Sequence, residues 1–107
     1  MVKPFIENES AQAAACDLLD AMGNAKRLQV LIILSGAEMP VGQLASMVNL
    51  TQSALSQHLS KLKKVGLVSN RREAQTIYYT CRSKAVLSVL DTLAALYSPT
   101  KSETRVA

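Results

Sequence analysis

The chain has 107 residues, 49% of them apolar, with 12 Lys and Arg against 8 Asp and Glu and a net charge of +4. That length supports one domain with a core of its own, and excludes a chain built from several domains or repeats. Two cysteines exclude a disulfide scaffold, no apolar run is long enough to span a bilayer, and no signal-peptide core is visible, so the sequence predicts a cytoplasmic protein with reduced thiols and no membrane partner.

The charge is unevenly placed. Residues 61–84 hold seven basic side chains (Lys61, Lys63, Lys64, Arg71, Arg72, Arg82 and Lys84) against Glu73 alone, whereas residues 1–60 hold three basic and five acidic ones. A polyanionic partner would meet the later part of the chain.

Residues 1–8 contain Pro4 and show no periodicity, so they are expected to form a flexible arm. Asn8 or Ser10 can cap a helix running to about Met22, with Ala11, Ala14, Ala15, Leu18, Leu19 and Met22 on one side. Alanines at this spacing allow close approach of another helix. Gly23 ends it, and Asn24 caps a second helix, AKRLQVLIILSG, stopped by Gly36. Leu28, Leu31, Ile32 and Leu34 leave little of that helix polar, which places it at the centre of the domain. Ala37 to Pro40 reads as a turn with room for a short strand. Val41 to Val48 is a short helix turning Val41, Leu44, Ala45 and Val48 inward, and Asn49-Leu50 is the turn that follows.

Thr51 to Gly66, TQSALSQHLSKLKKVG, carries the clearest signal in the chain. Leu55, Leu59 and Leu62 share one helical face, Thr51 is a good N-cap, and Gly66 tolerates the positive φ of a helix stop. The other face holds Gln52, Ser53, Ser56, Gln57, Ser60, Lys61 and Lys64, with no carboxylate. A solvent-facing helix ordinarily mixes Glu with Lys for i,i+4 pairing. Gln and Ser near the N-terminus followed by Lys suit base edges and phosphates instead.

A short helix, a tight turn and this polar-faced helix make a helix-turn-helix. Leu67-Val68-Ser69 begins a strand, Asn70-Arg71-Arg72-Glu73 reads as a basic turn, and Ala74 to Cys81 reads as a second, β-branched and aromatic strand. A hairpin with arginines at its tip, directly after such a helix, is a wing. The last helix, from about Ser83 to Tyr97, is apolar on more than one face, which at the end of so small a domain calls for a partner chain. Pro99 stops it, and residues 99–107 read as a disordered tail. The expected fold is mainly α with a small β-hairpin: a homodimeric winged helix-turn-helix over residues 9–98, of roughly five helices plus the wing.

The segments NAKRLQVLIIL, PVGQLASMVNLTQSALSQHLSKLKKVGLV and RREAQTIYYT together resemble the ArsR/SmtB family of winged-helix repressors over about residues 12–97. Ser56, His58, Leu59 and Leu62, the Gly66-Leu67-Val68 entry to the wing and the Arg72-Glu73-Ala74-Gln75 corner with Tyr78 and Tyr79 all fall in register with it. The resemblance is nearest to the NolR-like branch, with the HlyU-type and BigR-type regulators as close relatives. It implies a transcriptional regulator, most simply a repressor, that binds an imperfect palindrome in double-stranded DNA as a homodimer joined through its first and last helices.

The family's common metal sites are not reproduced here. The helix VGQLASMV has no Cys, His, Asp or Glu, and the last helix offers Asp91 alone, while the sole histidine is His58. The expectation is therefore no metal, no cofactor and no evident small-molecule ligand. The sulfide-responsive branch of the resemblance uses two cysteines whose matching positions here are Ile32 and Ser98. Cys16 and Cys81 read as small packed hydrophobes, with a displaced dithiol switch as the alternative, in which Arg82 would favour a thiolate at Cys81. No Gly-rich phosphate loop, paired catalytic carboxylates or nucleophile–His motif suggests an enzyme.

The predicted base contacts are Gln52, Ser53, Ser56 and Gln57, at the end of the helix that enters the major groove in helix-turn-helix docking. Ser60, Lys61 and Lys64 are predicted phosphate contacts, Arg71 and Arg72 reach phosphates or the minor groove from the wing, Gln75 is a weaker candidate, and His58 divides between packing and a backbone contact. The dimer interface is expected at Ala14, Ala15, Leu18, Val86, Val89, Leu90, Leu93 and Tyr97.

Overall fold

Four of the helices begin where the sequence supplies a capping oxygen. In the computed structural model, which describes residues 2–99, α1 is Val2–Ile6, α2 Glu9–Met22, α3 Ala25–Gly36, α4 Val41–Met47, α5 Gln52–Lys64 and α6 Lys84–Tyr97, with strands β1 Met39–Pro40, β2 Ser69–Glu73 and β3 Thr76–Thr80. Asn8 Oδ1 accepts from the Ala11 N–H at 2.9 Å, Asn24 Oδ1 from Lys26 and Arg27 at 3.0 Å, Thr51 Oγ1 from Ala54 at 3.1 Å and Ser83 Oγ from Val86 at 3.2 Å. Each such cap stabilises its helix by about 1 kcal/mol.

The ends of the helix-turn-helix use one device twice. At the end of α4 the Leu50 N–H donates to Ala45 O at 2.9 Å and the Asn49 N–H to Ser46 O at 3.2 Å, with Asn49 at φ 58°. At the end of α5 the Leu67 N–H donates to Leu62 O and the Gly66 N–H to Lys63 O, both at 3.0 Å, with Gly66 at φ 80°. Both are Schellman closures, in which the amides of a left-handed residue and of the residue after it satisfy the last carbonyls. The entry and exit of α5 are thereby fixed by backbone geometry.

The core gathers Val30, Leu31 and Leu34 of α3, Leu44 and Ala45 of α4, Leu55, Leu59 and Leu62 of α5, and Val48, Leu67, Val68, Cys81 and Val86 around them. Burial of each Leu stabilises the fold by about 2 kcal/mol. The sheet runs β1-β3-β2, antiparallel throughout, with Met39 opposite Tyr79, Arg71 opposite Tyr78 and Glu73 opposite Thr76. The Cys81 N–H donates to Leu34 O at 3.1 Å, which moors the end of β3 to α3.

Several expectations are corrected. Within the arm expected over residues 1–8, Val2–Ile6 forms a short helix, giving six helices among the described residues where about five were expected. Gln12 Nε2 donates to Phe5 O at 3.0 Å and Ile6 O at 2.6 Å, satisfying the carbonyls at the end of α1, and Pro4 lies in the first turn where it removes no helical bond. Gly36 belongs to α3, whose cap is Ala37. Asn70 to Glu73 form strand β2 rather than a turn; the register leaves only Ala74 and Gln75 at the tip, with Ala74 at φ 55°. The cross-strand ladder and the packing of Arg71 on Tyr78 outweigh the polar, turn-like composition of Asn70–Glu73. Of the expected tail, residues 100–107 lie outside the described residues.

Candidate nucleic-acid interface

Helix α5 turns Leu55, Leu59 and Leu62 fully into the core, so the rest of its circumference must face outward. Gln52, Ser53, Ser56, Gln57, Ser60, Lys61 and Lys64 are all exposed. The structure thus brings the predicted reading residues onto one open face. The Gln52 amide lies against Gly42 of α4, where an added Cβ would come 3.3 Å from its Nε2. A glycine at that point gives the side chain its room.

The lysines differ in surroundings. Lys61 Nζ lies 3.4 Å from Asp20, a solvated pair that exchanges readily for a phosphate. Lys63 Nζ donates to Asn70 Oδ1 at 3.2 Å. Lys64 stands about 18 Å along the helix from Gln52 and lines a shallow groove with Ala14, Asp17, Leu18 and Ala85. That places its stem beside α2 and away from the reading end.

His58 is half-buried, with Nδ1 3.5 Å from Arg27 Nη1. Since guanidinium can only donate, Nδ1 accepts and the ring proton sits on Nε2. Burial, then the charges of Arg27 and Lys61, holds the ring's pKa below the ordinary imidazole value. Arg27 also donates through Nε to Ala21 O at 2.7 Å and through Nη2 to Asp20 O at 3.1 Å, so one side chain closes the end of α2 and braces α5. Lys26 Nζ donates to Val48 O at 2.6 Å and ties α3 to the turn of the helix-turn-helix. Sequence reasoning missed both residues. Their signal was faint: two cations in the first turn of a helix, where the dipole disfavours them.

On the wing, Arg71 donates to both oxygens of Glu38, Nε to Oε2 at 2.8 Å and Nη2 to Oε1 at 2.7 Å, and through Nη1 to Glu73 at 2.8 Å. Its guanidinium lies 4.5 Å over the Tyr78 ring. The Arg71 bond holds the Glu38 carboxyl below the usual carboxylate range. These two carboxylates compete with the phosphate contact expected of Arg71. Arg72 is exposed and without an ion pair among the described residues, and Gln75 is exposed at the tip.

Of the expected dimer residues, Ala14 and Tyr97 (78% exposed) are open; Leu19 (61%) and Leu96 (65%), outside that expectation, also present apolar side chains on α2 and α6. Ala15, Leu18, Val89, Leu90 and Leu93 are half-buried. Val86 is a correction: it is 0% exposed, because the first turn of α6 packs into the chain's own core. The radius of gyration, 15.9 Å, exceeds the roughly 13 Å of a compact domain of about this size, as a chain with projecting helices and a hairpin would.

A family model described as the arsR family of bacterial regulatory proteins matches residues 24–70, the span from the cap of α3 into β2. The nodulation protein NolR of Rhizobium meliloti is 55% identical over 94 residues, covering 88% of this chain and 76% of that protein. The transcriptional activator HlyU of Vibrio cholerae is 48% identical, covering 85% of this chain and 84% of that one. The chain belongs to the arsR family. Among solved structures, NolR from Sinorhizobium fredii superposes with a TM-score of 0.82 at 49% identity, covering 88% of this chain and 94% of that one. A homodimeric winged helix-turn-helix DNA-binding domain from Mycobacterium bovis superposes with a TM-score of 0.74 at 26% identity, covering 82% of each.

Membership of the arsR family places the chain among transcriptional regulators and not enzymes. Ile32 and Ser98, the positions matching the two sulfide-responsive cysteines, line one groove of about 750 Å³ between α3 and α6 with Leu28, Leu90, Leu93 and Tyr97. Neither carries sulfur. Of this arsR-family chain's own cysteines, Cys16 is exposed and Cys81 is buried, both free. Burial raises the Cys81 thiol pKa, opposed by the Ser83 backbone N–H, so the thiolate expected from Arg82 is not favoured. No cluster of three or more His, Cys, Asp or Glu able to hold a metal occurs among the described residues. No helix among them is long and apolar enough to cross a membrane.

Proposed function

We propose that this protein is a homodimeric, sequence-specific DNA-binding repressor, acting in the cytoplasm on an imperfect palindrome. The observation that carries the reading is the outer face of α5: exposed Gln and Ser at its N-terminal half, Lys behind them, no carboxylate, and both helix ends locked. Gln52 and Gln57 pair with adenine N6 and N7, and Ser53 and Ser56 meet base edges in the major groove. Ser60, Lys61 and Arg72 hold phosphates, His58 donates to the backbone from Nε2, and Gln75 approaches DNA from the wing tip. Two copies meet through α2 and the later turns of α6, as the open apolar side chains there and the homodimeric relative support. No metal or small ligand has a part in this reading.

The test is a genome-wide footprint followed by an electrophoretic shift on the recovered site. The expected outcome is a protected palindrome whose duplex resists a thousandfold excess of scrambled competitor, about the specificity ratio of a modest operator binder. Equal loss of the complex to specific and scrambled competitor would overturn sequence-specific regulation.

A further inference from the structure

Among the described residues two wing side chains carry hydrogen bonds that leave the hairpin: Asn70 Oδ1 accepts a single bond from Lys63 of α5 at 3.2 Å, and Arg71 makes a two-pronged bond to Glu38. The two-pronged bond to Glu38 joins residues 33 apart in sequence. Glu38 sits in the connection between α3 and β1, directly before the edge strand. That strand reaches β3 only at Met39–Tyr79 and Pro40–Tyr78. Beyond Tyr78 the hairpin has no third strand, and every residue of β2 is exposed. Ile77 to Thr80 of β3 are half-buried, but a two-stranded ribbon with one strand wholly in water is marginally stable by itself. Its attachment therefore rests on β1 and on whatever crosses from the wing to the body. Arg71 makes that crossing with planar donors matched to a carboxylate and a ring face stacked on Tyr78, a geometry that fixes direction as well as distance. Alternation along β2 then sends Arg72 to the opposite face.

The geometry points to Arg71 as a positioning residue: latched to Glu38, it sets the angle of the wing and so the place at which Arg72 meets the DNA backbone. This rests on the DNA-binding reading above, but the latch itself can be measured without DNA. Glu73 takes a further donor of the same guanidinium, through Nη1 at 2.8 Å.

The experiment compares the full chain with its Glu38→Gln, Arg71→Ala and Arg72→Ala variants and with the charge-swapped double variant Glu38→Arg/Arg71→Glu. Without DNA, amide hydrogen exchange in residues 72–77 is expected to quicken about tenfold in Glu38→Gln and Arg71→Ala and to stay unchanged in Arg72→Ala. On the footprinted duplex, Glu38→Gln is expected to weaken binding about fivefold although it removes a negative charge. The slope of log K against log salt stays unchanged in Glu38→Gln and Arg71→Ala, and flattens by about one unit in Arg72→Ala. The double variant recovers at least half of the lost affinity.

Tighter binding and a steeper slope in Glu38→Gln would mean that the carboxylate had been masking a phosphate ligand, and overturns the latch. So does a slope flattened by a unit in Arg71→Ala, or a folded double variant as weak as Arg71→Ala. Unchanged wing exchange overturns it whether or not DNA binds. Accelerated exchange in Glu38→Gln and Arg71→Ala, with a wild type that ignores DNA, would sink the DNA-binding reading and leave the latch standing.

Discussion

Arg27 Nη1 stands 3.5 Å from His58 Nδ1 while the same guanidinium closes on the carbonyls of Asp20 and Ala21, so one α3 side chain joins the end of the proposed dimer helix to the middle of the recognition helix. The contact requires a neutral ring. A protonated His58 would present a proton to a cation, and its own pKa is already held down by burial and by Arg27 and Lys61.

Stability should therefore depend on pH through His58. With the folded pKa depressed, the unfolded chain takes up the proton first as pH falls through the ordinary imidazole value near about 6.5. Stability is fully present above that value and is lost as pH falls toward and through the folded pKa. Urea midpoints measured from pH 7.5 to 5.5 should fall in the wild type and hold nearly level in His58→Gln. Parallel curves would show that another group titrates.

The two left-handed residues around α5 give opposite expectations. Gly66, at φ 80°, meets open space at its Cβ position, so Gly66→Ala costs only backbone strain, about 1–2 kcal/mol. Asn49, at φ 58°, already tolerates that region, and Asn49→Gly should change stability by no more than about 0.5 kcal/mol. Thermal unfolding of both variants checks the pair; equal losses would show that the left-handed φ does not set the cost.

Reading and anchoring should separate on DNA. Gln52→Ala should cost about 1–3 kcal/mol on the specific duplex and relax one base position. Arg72→Ala should weaken specific and scrambled duplexes alike, since phosphates are present in every sequence. Titrations of both duplexes over a salt series make the comparison. If Gln52→Ala weakens both equally, Gln52 is a backbone contact.

The exposed apolar side chains of α6 should be covered in solution. Sedimentation is expected to show a dimer at micromolar concentration for the wild type and a monomer for Leu96→Asp, where a carboxylate would be buried without a partner. A wild-type monomer at that concentration would sink the dimer.

The sequence by itself determined the α5 face, because helical periodicity alone separates Leu55, Leu59 and Leu62 from Gln52, Ser56 and Gln57. It determined the caps at Asn24 and Thr51 and the stop at Gly66, because each is chosen by chemistry within a few residues. It found β3 but began it at Ala74, two residues early, and put the wing's turn at Asn70–Glu73, because polar composition does not reveal cross-strand register. Only the tertiary structure decided which cations face inward. Arg71 meets Glu38 across 33 residues and Arg27 meets His58 across 31, separations that no local pattern encodes. It also decided that Val86 faces inward while Leu96 and Tyr97 face out, since an all-round apolar helix carries no mark of which side its own chain will cover.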